Sequence, residues 1–340
     1  MSTPLTTSIA LCTYNGERFL QAQLDSLLDQ MRLPDQIVAF DDASQDETWM
    51  ILEAFAQQAR QRGIQVLLRR QPVNVGYVRN FEAALAECSG EIVFLCDQDD
   101  VWHADKIQRM AARFEAEPGL TMLHADARLV DADGNGLGVS AFKAFEVSRA
   151  EIRAMHAGHA FDVLLKRNIA TGATMAVRLQ VVRKAGEVPD GWIHDEWLGM
   201  VASLLGKADT LESAMVDYRQ HGNNQVGANV RSWRQRVGMS GARGPYMEKA
   251  IQRTRALLDR FDDAGGFPVS PSSRKRAEQR LAHAVMRREL PTAFIARFRI
   301  VAREAASGRY WCYSSGLRSV LSDMAVTDFS QISHRCLIDL

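Results

Sequence analysis

The stretch EIVFLCDQDD, residues 91–100, decides how this chain is read. Ile92, Val93, Phe94 and Leu95 form an unbroken apolar run that goes straight into Asp97, Asp99 and Asp100. A short apolar run bounded by polar residues reads as a strand buried on both faces. Three carboxylates within four positions repel one another in any compact state. A fold that gathers them there must also supply positive charge to meet them.

Working outward, the same pattern repeats. SIALCT (8–13), QIVAF (36–40) and IQVLLRR (64–70) are further short apolar runs. Between them lie helical patterns: Phe19, Leu20, Leu24, Leu27 and Leu28 on one, a second from about Asp46 to Gln61, and YVRNFEAALAEC (77–88) as a third. ADKIQRMAARFEAE (104–117) follows the Asp-rich stretch as a fourth. Strands alternating with helices of this length predict βαβ units and a largely parallel sheet. Ligands of open α/β sheets bind beyond the carboxyl ends of the strands. The polar clusters TYNGE (13–17), DDASQDE (41–47) and DQDD (97–100) all fall at those ends.

Farther on, LTMLHADARLVD (120–131) and ADGNG (132–136) predict a strand, a turn and a return strand. DADGNG (131–136) imitates the start of a calcium loop, but Phe142 stands where such a loop needs a bidentate Glu. HAGH (156–159) has ligand-like spacing and no partner cluster. A helix is expected near 160–167, and another at HDEWLGMVASLLG (194–206). ATGATMAV (170–177) is small and apolar, suited to packing rather than chemistry.

The net charge of zero conceals an asymmetry. Residues 1–230 hold 21 Lys and Arg against 31 Asp and Glu; residues 231–340 hold 20 against 10. An acidic first part and a basic second part point to two regions with different partners. The five cysteines are odd in number and form no CxxC pair, which fits a reducing cytosol. There is no secretory signal pattern at the N-terminus and no run of eighteen apolar residues for a spanning helix.

The ordered set TYNGERFL (13–20), DDASQDET (41–48), NVGYVRNF (74–81), DQDDVW (97–102), TGATMAV (171–177), HDEW (194–197) and YRQHGNN (218–224) resembles family 2 glycosyltransferases of GT-A fold. Within that family it is most similar to bacterial rhamnosyltransferases of surface-polysaccharide and lipopolysaccharide assembly. The resemblance implies an α/β, Rossmann-like, mostly parallel sheet flanked by helices over residues 1–230. A helical basic C-terminal region would occupy 231–340. It implies an inverting transfer that needs Mg²⁺ or Mn²⁺. The donor would be dTDP-L-rhamnose or another dTDP- or UDP-sugar, and the acceptor a glycan or lipid-linked glycan at the cytoplasmic side.

A diphosphate leaves readily only when its charge is neutralised, and a hard cation with oxygen ligands does this. By resemblance, Asp99 is the direct ligand of an Asp-x-Asp motif, with His221 completing the metal site and Asp97 and Gln98 beside the nucleotide sugar. Thr13, Asn15, Asp41 and Asp42 would hold base and ribose. Asn74 and Gly76 would line the nucleotide, and Arg79 would lie near the diphosphate. Asp195 would be the general base that deprotonates the acceptor hydroxyl, with Glu196 as the competing carboxylate.

Two other classes compete. A nucleotidyltransferase would open with a Gly-rich loop after its first strand, and CTYNGER (12–18) has a single Gly. A non-catalytic nucleotide-sugar binder would have no need of a base. Arg residues dispersed among apolar ones in RSWRQRVGMSGARG (231–244) and SSRKRAEQRLAHAVMRREL (272–290) suit peripheral contact with an anionic membrane. A homodimer contact is the alternative, and no nucleic-acid-binding module accompanies them.

Overall fold

The computed structural model describes residues 4–221, 243–263 and 269–325. The chain divides into two units. The first holds Met1–Leu164, Asn168–Val188 and Trp192–Asn229. The second holds Val230–Leu340 together with two short earlier segments, Leu165–Arg167 and Pro189–Gly191.

In the first unit, β1 (Thr7–Thr13), β2 (Gln36–Asp41), β3 (Gln65–Arg70) and β4 (Ile92–Cys96) pair in parallel in the order β3-β2-β1-β4. β1 and β4 are buried along their whole length, which is why they read as unbroken apolar runs. β3 ends the path, with Arg69 and Arg70 exposed, a common way of blunting a sheet edge. α1 (Glu17–Leu28), α2 (Thr48–Gln61) and α3 (Tyr77–Ala86) are the crossovers. α1 turns Leu20, Leu24, Leu27 and Leu28 into the core that Ile9, Leu11 and Ile37 share.

Beyond β4 the direction changes. β8 (Met175–Arg178) inserts antiparallel between β4 and β6 (Leu120–Val130). β9 (Lys207–Arg219) runs parallel to β6, and β7 (Gly136–Ser140) returns antiparallel from it. β5 (Val101–Trp102) pairs antiparallel with β9, so only Asp97–Asp100 separate β4 from the far side of the sheet. The sheet is thus mainly parallel and flanked by helices, as expected. The thirteen-residue β9 was not legible: KADTLESAMVDYR shows neither an apolar run nor clean alternation. Its pairing shifts register repeatedly against β6, which breaks the period-two pattern. The remaining helices of this part of the chain are α4 (Lys106–Ala116), α5 (Ala141–Ala144), α6 (Arg149–His156), α7 (Ala160–Lys166), α8 (Leu179–Ala185) and α9 (His194–Leu205). No described helix is long and apolar enough to cross a membrane.

The second unit is helical: α10 (Arg243–Asp262), α11 (Pro271–Arg288), α12 (Phe294–Ala306), α13 (Arg309–Tyr313) and α14 (Leu317–Ala325). Its interior is unusually polar. His283 bridges Glu304 and Ser314 at 2.8 Å each. Arg287 makes a bidentate pair with Asp323 at 2.7 and 2.9 Å, and the Tyr310 hydroxyl donates to the same carboxylate at 2.6 Å. Of the basic residues of 272–290, which suit an anionic membrane, some turn inward and others stay at the surface. Arg280 and Arg287 are buried, Arg274 pairs with Asp262, and Arg288 pairs with Glu248 and Glu289. The stretch 231–242 lies outside the described residues.

Burial depresses the proton affinity of three histidines: His124 and His283 are each lowered to about 4, and His194 to about 3. Such a histidine binds its proton more weakly folded than unfolded. Its contribution is full above the ordinary value of 6.5 and is lost as pH falls toward the folded value. The thermal midpoint is therefore expected to drop as pH is lowered from about 6.5 toward about 4, measured by circular dichroism. His124→Leu is expected to reduce that drop.

Candidate active site

The sheet order reverses between β1 and β4, and the crevice at such a switch point is where ligands bind in open α/β sheets. Three loops meet there. The loop after β1 is held by the one after β4: the Gln98 side-chain amide donates to Tyr14 O at 3.0 Å and accepts from Tyr14 N at 2.7 Å. Gly16 makes this possible, since a Cβ there would lie 2.3 Å from Gln98 Oε1. Asn15, in the left-handed region at φ 46°, accepts from Gln45 N with its side chain and donates from its backbone N to Ser44 Oγ.

Both aspartates at the end of β2 brace backbone. Asp41 accepts from Thr13 Oγ1 at 2.9 Å, from the Ser44 amide at 3.0 Å and from the Ser44 hydroxyl, with Arg70 Nε 3.4 Å away. Asp42 accepts from Val75 N at 2.7 Å and Gly76 N at 2.9 Å, and its carbonyl accepts from Asn74 Nδ2. Thr13, Asn15, Asp41, Asp42, Asn74, Gly76 and Gln98 thus form one braced rim around the crevice. Arg79 is not part of it. Asn80, Phe81, Ala84 and Leu85 are the buried stripe of α3, and Arg79 stands off that stripe. It pairs with Glu82 at 2.7 Å and Glu187 at 3.0 Å.

The carboxylates of the DQDD loop lie inside the rim. Loss of solvation, then Asp99 and Asp195, push Asp97 up to about 7. Asp100 is buried and pushed up by burial, then by Asp99 and Asp97; its Oδ1 accepts from Arg219 N at 2.9 Å. Its Oδ2 is buried with no hydrogen-bond partner among the described residues. Asp99 Oδ2 lies 2.8 Å from His221 Nε2, so strand β9 delivers His221 to the carboxylate with which it was expected to act. Phe19 stacks on His221 at 4.7 Å and lies beneath the Arg219 guanidinium. Arg219 pins the loop further, donating from Nε to Asp99 O at 2.9 Å.

Asp195 comes to the same place by a separate route. The antiparallel register of β8 on β4 sets the 3-10 turn Gly172–Thr174 beside the end of β4. Gly172 N donates to Asp195 Oδ2 at 2.8 Å, and Glu196 N to its Oδ1 at 2.7 Å, fixing the carboxylate in the first turn of α9. Acidic groups are favoured there by the helix dipole. A cavity of about 690 Å³ lies between α3, α8 and α9, lined by Arg79, His194 and Trp197; none of the four aspartates lines it.

Two residues escaped the reading of the sequence. Lys106 is fully buried, and burial lowers it to about 7 against the opposing pull of Cys96, Asp100 and Asp97. Its Nζ donates to Ala173 O at 2.8 Å and lies 3.4 Å over the Trp102 ring. The signal was available: on α4 the buried stripe is Lys106, Ile107, Met110, Ala111 and Phe114, so a lysine occupies a core position. Tyr218, at the end of β9, is raised by burial and then by the charges of Asp100, Asp97, Asp99 and Asp195.

Residues 8–170 match the sequence profile described as Glycosyl transferase family 2. Over that stretch the chain is similar to family 2 glycosyltransferases, and it is a glycosyltransferase. The chain is 27% identical over 228 residues to an uncharacterized glycosyltransferase of Nostoc sp., covering 65% of this chain and 67% of that one. It is 26% identical over 259 residues to the dTDP-rhamnosyl transferase RfbG of Shigella flexneri, covering 73% and 85%. In fold it is similar to a mannosyltransferase from Pyrobaculum calidifontis solved with GDP-Man and Mn²⁺, with a TM-score of 0.55 and 16% identity over 95% and 86% of the two chains.

Among the described residues no group of three or more His, Cys, Asp or Glu is close enough to hold a metal alone. The donor set still suits a hard cation: one carboxylate with an imidazole at Asp99 and His221, beside a buried Asp100 oxygen without a partner. Mg²⁺ commonly takes one or two carboxylates and completes its shell from substrate phosphates.

Lys106→Met is expected to lower stability by about 3 kcal/mol, the scale for removing the cation from a buried charge group. Asp100→Asn in that background is expected to recover part of the loss, both read from urea unfolding. Gly16→Ala is expected to displace Gln98 and weaken nucleotide-sugar binding in calorimetry, with little change in fold.

Proposed function

We propose that this glycosyltransferase is an inverting, metal-dependent enzyme of surface-polysaccharide assembly, with dTDP-L-rhamnose as donor and a glycan or lipid-linked glycan as acceptor. The observation that carries the mechanism is convergence. Asp97, Asp99 and His221 approach from the ends of β4 and β9, and Asp195 approaches from α9, so that Asp195 acts electrostatically on Asp97. A cation-binding edge and a base are thereby adjacent. The resemblance to rhamnosyltransferases and the similarity to the Shigella flexneri dTDP-rhamnosyl transferase support the choice of donor.

Asp99 and His221 would hold Mg²⁺ or Mn²⁺. When bound, the cation supplies the charge that lets a nucleoside diphosphate depart. Asp195 takes the proton of the acceptor hydroxyl while that oxygen bonds to the anomeric carbon. The bond from that carbon to the diphosphate breaks on the opposite face. The backbone N–H groups of Gly172 and Glu196 hold the carboxylate in place for this step. Asn15, Asn74 and Gly76 of the rim would hold base and ribose. Lys106 keeps the carboxylate cluster folded before any ligand arrives.

Asp195→Asn is expected to lower turnover by roughly 10²-fold or more while leaving donor affinity nearly unchanged. If Glu196→Gln is the inactive variant and Asp195→Asn is not, the base is Glu196. EDTA is expected to abolish turnover reversibly, and Asp99→Ala to abolish it permanently. Full turnover in EDTA would contradict the metal-dependent reading. A panel of nucleotide sugars, screened for hydrolysis with Mn²⁺, reads the donor directly; turnover of UDP- or GDP-sugars without dTDP-rhamnose would replace the proposed one.

A further inference from the structure

The helical unit turns an apolar face outward. On α12, Phe294, Ile295 and Phe298 are 63%, 69% and 53% exposed. The Phe294 and Phe298 rings stack one turn apart, with centroids 6.4 Å from each other. The buried stripe of the same helix is Arg297, Val301 and Glu304. An ordinary surface helix does the reverse, hiding its apolar stripe and presenting its charges. Arg297 is held inward by the carbonyls of Pro291 and Thr292, and Glu304 by His283, so the orientation of α12 is fixed by specific bonds.

The charge beside this face has one sign. Arg299 and Arg303 are exposed on α12 and make no ion pair among the described residues. Residues 290–325 contain two acidic side chains, Glu304 and Asp323, and both are buried. Exposed phenylalanine and isoleucine alternating with unpaired arginine match the boundary between acyl chains and anionic headgroups. There the rings enter the apolar layer and the guanidinium groups meet phosphates. A second copy of the chain fits less well. A two-fold interface sets each patch against itself, bringing Arg299 and Arg303 against their own kind with no exposed carboxylate from residues 290–325 to meet them.

We propose that the outward face of α12, through Phe294, Ile295 and Phe298 with Arg299 and Arg303, is an interfacial binding surface for anionic phospholipid membranes. This places the membrane contact on α12 rather than on residues 272–290, where Arg280 and Arg287 are buried and Arg274 and Arg288 are ion-paired. It does not depend on the identity of the donor or on the assignment of the base.

The test is flotation of the full-length protein with phosphatidylcholine vesicles and with vesicles that also contain phosphatidylglycerol, at low and high salt. Binding is expected with the anionic vesicles and is expected to weaken with salt. Phe294→Ser/Phe298→Ser and Arg299→Glu/Arg303→Glu are each expected to reduce bound protein by about tenfold, given the joint apolar and electrostatic origin of such binding. Circular dichroism and nucleotide-sugar hydrolysis in vesicle-free solution are expected to stay unchanged in both variants. The proposal is overturned if the wild type ignores anionic vesicles, or if the phenylalanine variant binds them equally. It is also overturned if light scattering shows a dimer that this variant dissolves, which would assign the face to a second copy. Loss of hydrolysis in the wild type would count against the enzymatic reading and leave this one standing.

Discussion

Charge repulsion at the carboxyl end of β4 is the constraint around which the catalytic unit is arranged. Asp97, Asp99 and Asp100 are brought together with Asp195 at the edge of a buried strand, where their fields are poorly screened. The chain answers with a lysine in a core position of α4 and with Arg219, whose backbone and side chain both bond the loop. Even so, Asp97 and Asp100 keep raised proton affinities, and one oxygen of Asp100 is buried without a hydrogen-bond partner among the described residues. Sites held in this condition are those at which a cation or a charged ligand gains most on binding.

The same lysine connects the two halves of the chemistry. Lys106 holds Ala173 by its carbonyl, and the neighbouring Gly172 holds Asp195 by its N–H. The turn between them is placed by an antiparallel strand inserted into an otherwise parallel run. A parallel strand at that position would deliver its other end to the crevice. The direction of β8 is thus what brings a turn, and through it Asp195, to the carboxyl edge.

The rim follows a second rule. Carboxylates and amides that appear in sequence to be ligand-facing are engaged first in holding backbone: Gln98 on Tyr14, Asp42 on Val75 and Gly76, Asp41 on Thr13 and Ser44. These bonds fix loops in advance, and preorganised loops bind with less conformational entropy to lose. The helical unit applies internal pairing more broadly, with Arg287 on Asp323 and His283 on Glu304 inside a packed interior. Arg280, His283 and Arg287 of α11 thereby point inward, and the outward apolar face falls to α12.

Much of the catalytic unit was legible because its strands are local signals. β1, β2 and β4 are apolar runs ending in polar loops, and that alone specifies a parallel sheet with a site at the carboxyl edge. The carboxylates of DQDD stood out by their clustering, and those of HDEW were marked out by resemblance to a known family. Other features depend on contacts between residues far apart in the chain. β9 is paired on both sides with shifting register, so its sequence carries no clean period. Lys106 looks like a surface residue of an amphipathic helix until its stripe is traced. The pairing of Arg79 with Glu82 and Glu187 is settled only when α3 is docked, because one residue along a helix turns a side chain by about 100°. The sequence by itself determined which chemical groups stand at the ends of which strands. Only the tertiary structure decided which of them face one another, because the direction of β8, the register of β9 and the rotation of each helix are set by packing and long-range hydrogen bonds.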